Sequence, residues 1–275
     1  MRIFIGYDSR EVAAYHVLAS SIIRKATRPV ALIPVALHQL AHGPHLSVGV
    51  APPFRPTPYT RKRGPTESTE FSLTRFLVPY LSGYEGWSVF MDCDMLCLCD
   101  ITDLMLDMSM NEDKAVLVVK HKYEPKTLLK MDGQVQTRYP RKNWSSFMAF
   151  NNARCRDLTP HYVNLATGLD LHRFAWIHDD QIGGLPPGWN HLVGEYDDDP
   201  SARVLHYTMG GPWMAGYEGC DRAEDWRTEA AAAGFLEMAR VRRRPGGPRV
   251  QACNPPLGPP GGLPAGRAEP TGMKA

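Results

Sequence analysis

Net charge is nearly missing from this sequence: 31 lysines and arginines face 29 aspartates and glutamates, which leaves +2 across 275 residues. No global field draws the chain to nucleic acid or to an anionic membrane, so any anion must be held by a local cluster. Long apolar runs are absent as well. Residues 30–37, among the longest, are interrupted by Pro34 and fall far short of the roughly 20 residues a membrane helix needs. The N-terminus turns polar at Asp8, Ser9, Arg10 and Glu11, without the apolar stretch and small-residue cleavage site of a secretory signal. Cysteine is sparse: six in a chain of this size are too few for a disulfide scaffold, and a reducing, cytoplasmic setting is expected. Cys93, Cys97 and Cys99 crowd together, but strand alternation would put them on one face of an apolar segment as small buried hydrophobes, not zinc ligands.

What is present is 43% hydrophobic content, enough for a sizeable packed core. The β-rich run Arg2–Tyr7 opens the chain, and Asp8 with Glu11 three residues on is a capping-box pattern that predicts a helix. Tyr15, Leu18, Ala19, Ile22 and Ile23 keep helical spacing behind it, and residues 30–37 read as a second strand. Strand, helix and strand in that order form a right-handed βαβ unit, the start of an α/β layer fold. A long loop rich in proline, glycine and histidine, 38–64, ends in Arg61, Lys62 and Arg63. A helix is predicted over 66–81, a strand over Trp87–Met91, further strands at 115–119, 147–150 and 203–207, and short helices at 160–166 and 171–176. These elements make a single domain over 1–240. The tail 241–275, basic at its start and then dominated by proline, glycine and alanine, cannot repay ordering entropy by burial and is expected to be disordered. It is either a basic arm for a membrane surface or partner, or a dispensable extension.

The most informative stretch is Val89-Phe90-Met91-Asp92-Cys93-Asp94-Met95-Leu96. An apolar strand running into Asp-x-Asp puts two carboxylates at the C-terminal edge of a sheet, where open α/β folds bind ligands. Carboxylates so close repel unless a cation sits between them, and a hard divalent ion such as Mg²⁺ or Mn²⁺ fits, with sites to spare for diphosphate oxygens. A purely structural reading also exists, in which Asp92 caps a turn and Asp94 caps a following helix. A second motif, Leu205-His206-Tyr207-Thr208-Met209-Gly210-Gly211-Pro212-Trp213, follows another strand. His206 at that strand's end is a candidate third ligand, and Gly210 and Gly211 let backbone amides approach an anion.

These motifs, in this order across most of residues 2–213, resemble the glycosyltransferases of the GT-A type, and within them family 8, the glycogenin and lipopolysaccharide galactosyltransferase group. Phe4-Ile5-Gly6-Tyr7-Asp8 is similar to the first strand that receives the nucleoside, Phe71-Ser72-Leu73-Thr74-Arg75 to the helix whose arginine contacts the donor, and Asp180-Gln181 to an Asp-Gln pair beside the transferred sugar. The resemblance implies a mixed, mostly parallel sheet flanked by helices. It also implies metal-dependent transfer of a hexose, with retention, from a nucleotide-diphosphate sugar such as UDP-glucose or UDP-galactose to a glycan, lipid-linked or small-molecule acceptor. On it, Asp92, Asp94 and His206 would bind Mn²⁺ or Mg²⁺, with Cys93 between the acids in the donor site. Ile5, Gly6, Tyr7 and Asp8 would line the nucleoside site, Arg75 would hold phosphate or sugar, and Gly210 and Gly211 would face the diphosphate. Asp180 would hold sugar hydroxyls and Gln181 would face the anomeric carbon.

The sequence departs from that pattern in three places. Gly211 stands where the family's closing motif has a lysine, with Arg61, Lys62 or Arg63 as candidate replacements. Trp144-Ser145-Ser146-Phe147 only loosely follows the family's Asn-x-Gly segment, and Glu11 occupies the neighbourhood of its base-stacking tyrosine. Other classes stay open: a haloacid-dehalogenase-like Mg²⁺ phosphatase using Asp179-Asp180 as its second acidic pair, a sugar nucleotidyltransferase, or a non-catalytic nucleotide-sugar-binding protein. Tyr123, Gln134 and Tyr139 are candidates for acceptor binding.

Overall fold

Strand β1 (Arg2–Tyr7) buries Ile3, Phe4 and Ile5 in succession instead of alternating. A strand covered on both faces takes a continuous apolar run, and β1 has parallel neighbours on either side, β2 (Ala31–Ala36) and β3 (Trp87–Met91). Helix α1 (Val12–Lys25) makes the return from β1 to β2 and buries Ala14, Val17, Leu18, Ser21 and Ile22. Pro34, with no N–H to give, is tolerated because β2 is an edge strand. The computed structural model describes residues 1–42, 59–64, 67–122 and 141–239. The tail, most of the 38–64 loop, and Tyr123, Gln134 and Tyr139 lie outside the described residues.

Past β3, the sheet continues through β6 (Phe147–Asn151), antiparallel to both β3 and β5 (Val116–Val118), and ends with β7 (Ile182–Gly184), parallel to β5. Its order is β2-β1-β3-β6-β5-β7, and three of the five pairings are parallel, so the sheet is mixed and mostly parallel as expected. A second, three-stranded sheet has β4 (Met95–Cys97) antiparallel to β9 (Val204–His206), and β8 (His191–Leu192) parallel to β9. Met95 pairs with His206, so the late strand returns an imidazole to the turn that leaves β3.

The remaining helices are α2 (Leu37–His42), α3 (Val78–Leu81), α4 (Leu104–Ser109), α5 (Pro160–Leu165), α6 (Gly168–His172), α7 (Ala223–Ala232) and α8 (Leu236–Ala239). The larger apolar cluster surrounds the main sheet, and a smaller one joins Val17, Leu96, Leu205, Tyr207 and Trp226. Helix α1 serves both clusters, with Leu18 in the first and Val17 in the second. Its last turn is clamped to α7 by ion pairs from Arg24 (2.7 Å) and Lys25 to Glu229.

Several local expectations are corrected. The capping box does not form: Glu11 makes no side-chain cap bond to α1, and Asp8 instead accepts from the N–H groups of Arg10 (3.0 Å) and Glu70 (3.1 Å). The helix predicted over 66–81 contracts to a 3-10 turn, Thr74–Leu77, followed by α3. There the Ser72 hydroxyl accepts from the Thr69 N–H and donates to its carbonyl, a local alternative to the helical ladder. The helix predicted at 171–176 starts earlier, as α6, because Thr167 caps it by accepting from the Asp170 N–H. It stops before Phe174, which sits at a left-handed φ of 60°. Cys93, Cys97 and Cys99 do not share one strand, since only Cys97 belongs to β4, although Cys93 and Cys97 are fully buried.

Candidate metal centre

Strand β3 delivers Asp92 at its C-terminal end, where its N–H donates to the Ser146 carbonyl at the start of β6 (3.0 Å). Two residues on, the Asp94 carbonyl accepts from the Tyr207 N–H (2.9 Å), which locks the acidic turn to the end of β9. One ligand atom from each of Asp92, Asp94 and His206 lies within 4.8 Å of the others. Asp94 Oδ1 is 3.3 Å from His206 Nε2, and His206 is only 3% exposed.

The imidazole's tautomer follows from its neighbours. Ser146 Oγ gives its one hydrogen to the Asn143 carbonyl (2.7 Å), so it can only accept from Asn190 Nδ2 (2.9 Å). Asn190 Nδ2 also donates to the Asn143 carbonyl (3.2 Å), which leaves Asn190 Oδ1 as the acceptor facing His206 Nδ1 at 2.9 Å. Nδ1 therefore carries a hydrogen, and in neutral imidazole Nε2 presents its lone pair to Asp94. Asn143 reaches this position at a left-handed φ of 64°, which asparagine tolerates.

In that neutral form two lone-pair bearers face each other across 3.3 Å, and Asp94 Oδ1 is buried with no hydrogen-bond partner among the described residues. Asp92 Oδ1 is 2.8 Å from Arg75 Nη1, yet it too lacks an aligned hydrogen bond, because Nη1 is directed at the Ser145 carbonyl (2.9 Å). The Arg75–Asp92 contact is thus an ion pair by distance alone. Burial pushes the Asp92 carboxyl up to about 7 against the pull of Arg75, with Asp94 adding to the push and His206 opposing it. Nearby, burial lifts Glu11 to about 8, helped by Asp94 and Asp8. Two carboxylate oxygens and an imidazole nitrogen, inadequately paired, are a donor set for a divalent cation, and three protein ligands leave coordination positions for a substrate.

The other expected site residues fall into two groups. Arg75, 5% exposed, lies between the rings of Phe71 and Phe90 (5.3 and 5.0 Å from their centroids) and serves Asp92. Ile5 and Cys93 are fully buried, and the Phe71 ring covers Gly6 so closely that a Cβ there would lie 2.4 Å from it. Tyr7 is half-buried against Tyr15. Asp8 is consumed by Arg10 and Glu70: burial raises its carboxyl, but those hydrogen bonds outweigh it and hold it below the ordinary value. Gly210 spends its amide on the Tyr207 carbonyl (2.9 Å), which removes it from any anion contact. A Cβ on Gly211 would lie 2.0 Å from the Trp213 ring, so a lysine there would have to displace that ring. Of the candidate replacements, Arg61 is held by the Ala166 carbonyl (2.7 Å) and Glu67 (3.2 Å).

Asp180 and Gln181 are not brought to the centre. Ala115 N–H donates to the Gln181 carbonyl, and Ile182 is level with Val116, Phe150 and Ser88 across the sheet. Gln181 is thus level with Trp87, where β3 begins, roughly 13 Å along the strand direction from Met91, where it ends. The neighbouring Asp179 pairs with Arg141 at 2.6 Å. Asn190, Glu11, Trp213 and His121 are the residues sequence reasoning did not assign. His121 carried a usable signal, a polar residue just past an apolar strand, whereas Asn190 is marked only by its contacts.

No family model matches the chain. Over 236 residues it is 43% identical to Protein CDI of Arabidopsis thaliana, a match spanning 83% of this chain and 85% of that one. The chain belongs to the Protein CDI family. In fold it is similar to the bifunctional glycosyltransferase WbbM, with a TM-score of 0.60 at 16% identity over 86% of this chain and 51% of WbbM, and so spans about half of WbbM's length. The galactosyltransferase LgtC, in complex with donor and acceptor sugar analogs, gives 0.51 at 12% identity over 84% of this chain and 96% of LgtC. GlyE of Streptococcus pneumoniae gives 0.50 at 14% identity over 83% of this chain and 59% of GlyE. At these identities the likeness is one of architecture, and it gives this member of the CDI family a GT-A fold. No helix among the described residues is long and apolar enough to cross a membrane.

Proposed function

We propose that the chain is a metal-dependent glycosyltransferase of family 8 character, acting as a single domain over residues 1–240 in the cytoplasm. It would move a hexose with retention from UDP-glucose or UDP-galactose to a glycan, lipid-linked or small-molecule acceptor. The observation that carries this reading is the convergence of Asp92, Asp94 and His206 at one sheet edge, with Nε2 of His206 turned toward Asp94 by Asn190. A bound Mn²⁺ or Mg²⁺ would supply positive charge to the diphosphate as it leaves. Asp92 and Asp94 hold that ion, His206 completes its protein ligands, and Arg75 keeps Asp92 from facing Asp94 uncompensated. In a front-face reaction the bond from the anomeric carbon to the diphosphate oxygen breaks and the bond to the acceptor oxygen forms. The acceptor's proton passes to a phosphate oxygen of the leaving group, so no strong protein base is needed. Asp180 and Gln181 are given no step in this scheme, since the Gln181 backbone stands level with the start of β3. The same separation disfavours a haloacid-dehalogenase-like phosphatase, which needs Asp179-Asp180 at the same ion as Asp92.

The test is UDP release from UDP-glucose or UDP-galactose with Mn²⁺. Asp92→Asn and Asp94→Asn should each lower it at least roughly 100-fold, on the order of 3 kcal/mol in the barrier, while circular dichroism shows the fold intact. Full turnover in either variant, or in the wild type under chelation, would overturn the reading.

A further inference from the structure

His121 stands just beyond β5, at the sheet edge where Asp92 leaves β3: Val118 pairs with Met148, whose neighbour Phe147 pairs with Met91. The residue is anchored from three directions. Its N–H donates to the Val119 carbonyl (3.0 Å), its carbonyl accepts from Trp144 Nε1 (3.0 Å), and Nδ1 shares a hydrogen bond with the Tyr196 hydroxyl (3.1 Å), whose ring lies against the imidazole at 5.6 Å. The side chain is therefore not free to turn toward another partner. Nε2 nevertheless has none among the described residues: His121 is 9% exposed, and this nitrogen is buried and unpaired there. Leaving a buried polar group unmet is costly, so an anchored imidazole with an idle nitrogen is explained by something that binds to it.

We propose that His121 Nε2 hydrogen-bonds a hydroxyl of the transferred sugar in the bound donor. This deepens the glycosyltransferase reading and rests on it. The diphosphate would sit on the ion at Asp92, Asp94 and His206, and the sugar begins one bond beyond it. His121 is close enough to His206 for the two imidazoles to oppose each other's charge. Burial, with His206 and His191 nearby, holds the His121 imidazole down to about 3, so it meets the ligand uncharged. A neutral ring suits a hydroxyl, which can donate or accept, better than it suits a phosphate. Tyr196 is then a positioning residue that fixes the ring.

Thermal shift and calorimetry with Mn²⁺ plus UDP, UDP-glucose or UDP-galactose separate the sugar's contribution from that of the nucleotide. His121→Asn keeps an amide near the Nδ1 position for Tyr196 but has nothing at Nε2, whereas His121→Gln reaches toward Nε2. In wild type the sugar nucleotide should bind more tightly than UDP. His121→Asn should bind UDP normally and lose roughly fivefold to tenfold of the sugar-dependent increment, as expected for one hydrogen bond, with part restored in His121→Gln. An undiminished increment in His121→Asn, or weaker binding of UDP itself in equal measure, overturns the assignment while leaving the transferase reading standing. Failure of wild type to bind any of the three ligands overturns the transferase reading, and the assignment falls with it.

Discussion

At the scale of single residues, the centre depends on a carboxamide that touches no ligand. Asn190 holds the hydrogen of His206 on Nδ1, and its own orientation is held by Asn143 and Ser146. Asn190→Ala should therefore weaken Mn²⁺ binding by roughly 10- to 100-fold without removing a ligand, measured by titration of free Mn²⁺ with electron paramagnetic resonance. Unchanged affinity would show that the relay is idle. The convergence of Asp92, Asp94 and His206 was legible in the sequence because Asp92 and His206 each close an apolar run and Asp94 follows Asp92 by two residues, and strand ends are where such sheets place chemistry. Asn190 was not legible, since its role lies in bonds to residues 143, 146 and 206, which no spacing rule connects. The distance of the Gln181 backbone from the acidic turn was not legible for a related reason. The pair leads directly into β7, so its position depends on the register of a three-residue strand.

At the scale of elements, the turn after β9 shows how backbone space excludes a side chain. The Trp213 ring lies over Gly211, Trp213 Nε1 donates to Glu11 Oε2 at 3.2 Å, and the Trp213 ring lies tilted against Trp226 with centroids 5.3 Å apart. Restoring the family's lysine by Gly211→Lys should not improve activity. It should cost stability by about 1–3 kcal/mol, as overpacking does, visible as a lower melting temperature, and Gly211→Ala should follow in the same direction. An increase in melting temperature for either variant would mean that the ring moves aside without cost. The βαβ opening and strands β3, β5, β6 and β9 were readable from apolar runs. Strands β4, β7 and β8 are as short as β5 and β9 or shorter but lack a distinct apolar run of their own: β4 directly follows the acidic turn, β7 carries two glycines, and β8 is the pair His191–Leu192. Helix α7 had a signal of another kind, an alanine-rich run stopped by Gly234 at a left-handed φ of 90°.

At the scale of the whole molecule, the metal-free protein concentrates acid in a buried place, and this gives its stability a pH dependence. Unfolded carboxyls titrate near 4, whereas folded Asp92 and Glu11 keep their protons up to about 7 and about 8. Across that interval the folded state holds protons that the unfolded state has shed, so stability falls as pH rises, and above pH 8 the thiols of Cys93 and Cys155, pushed up by burial, extend the fall. Below about pH 6.5 the histidines His121 and His191, whose folded values are lowered, work in the opposite sense. Above about pH 7 that opposing contribution fades, and the window from about pH 7 to 8 reports mainly the carboxyls. Melting temperature measured without divalent metal should drop across it, and Glu11→Gln should flatten the drop. An unaltered slope in Glu11→Gln would exclude Glu11 as its source. The pairing of β4 with β9 has a consequence for assembly. Asp94 and His206 are separated by roughly a hundred residues of chain and meet when β4 pairs with β9, while Asp92 comes from the end of β3 in the large sheet, so the three ligands lie together only where the two sheets join. A cation at this seam would act as a rivet that closes a very long loop. Loading would then come late in folding, and both sheets would melt as one unit.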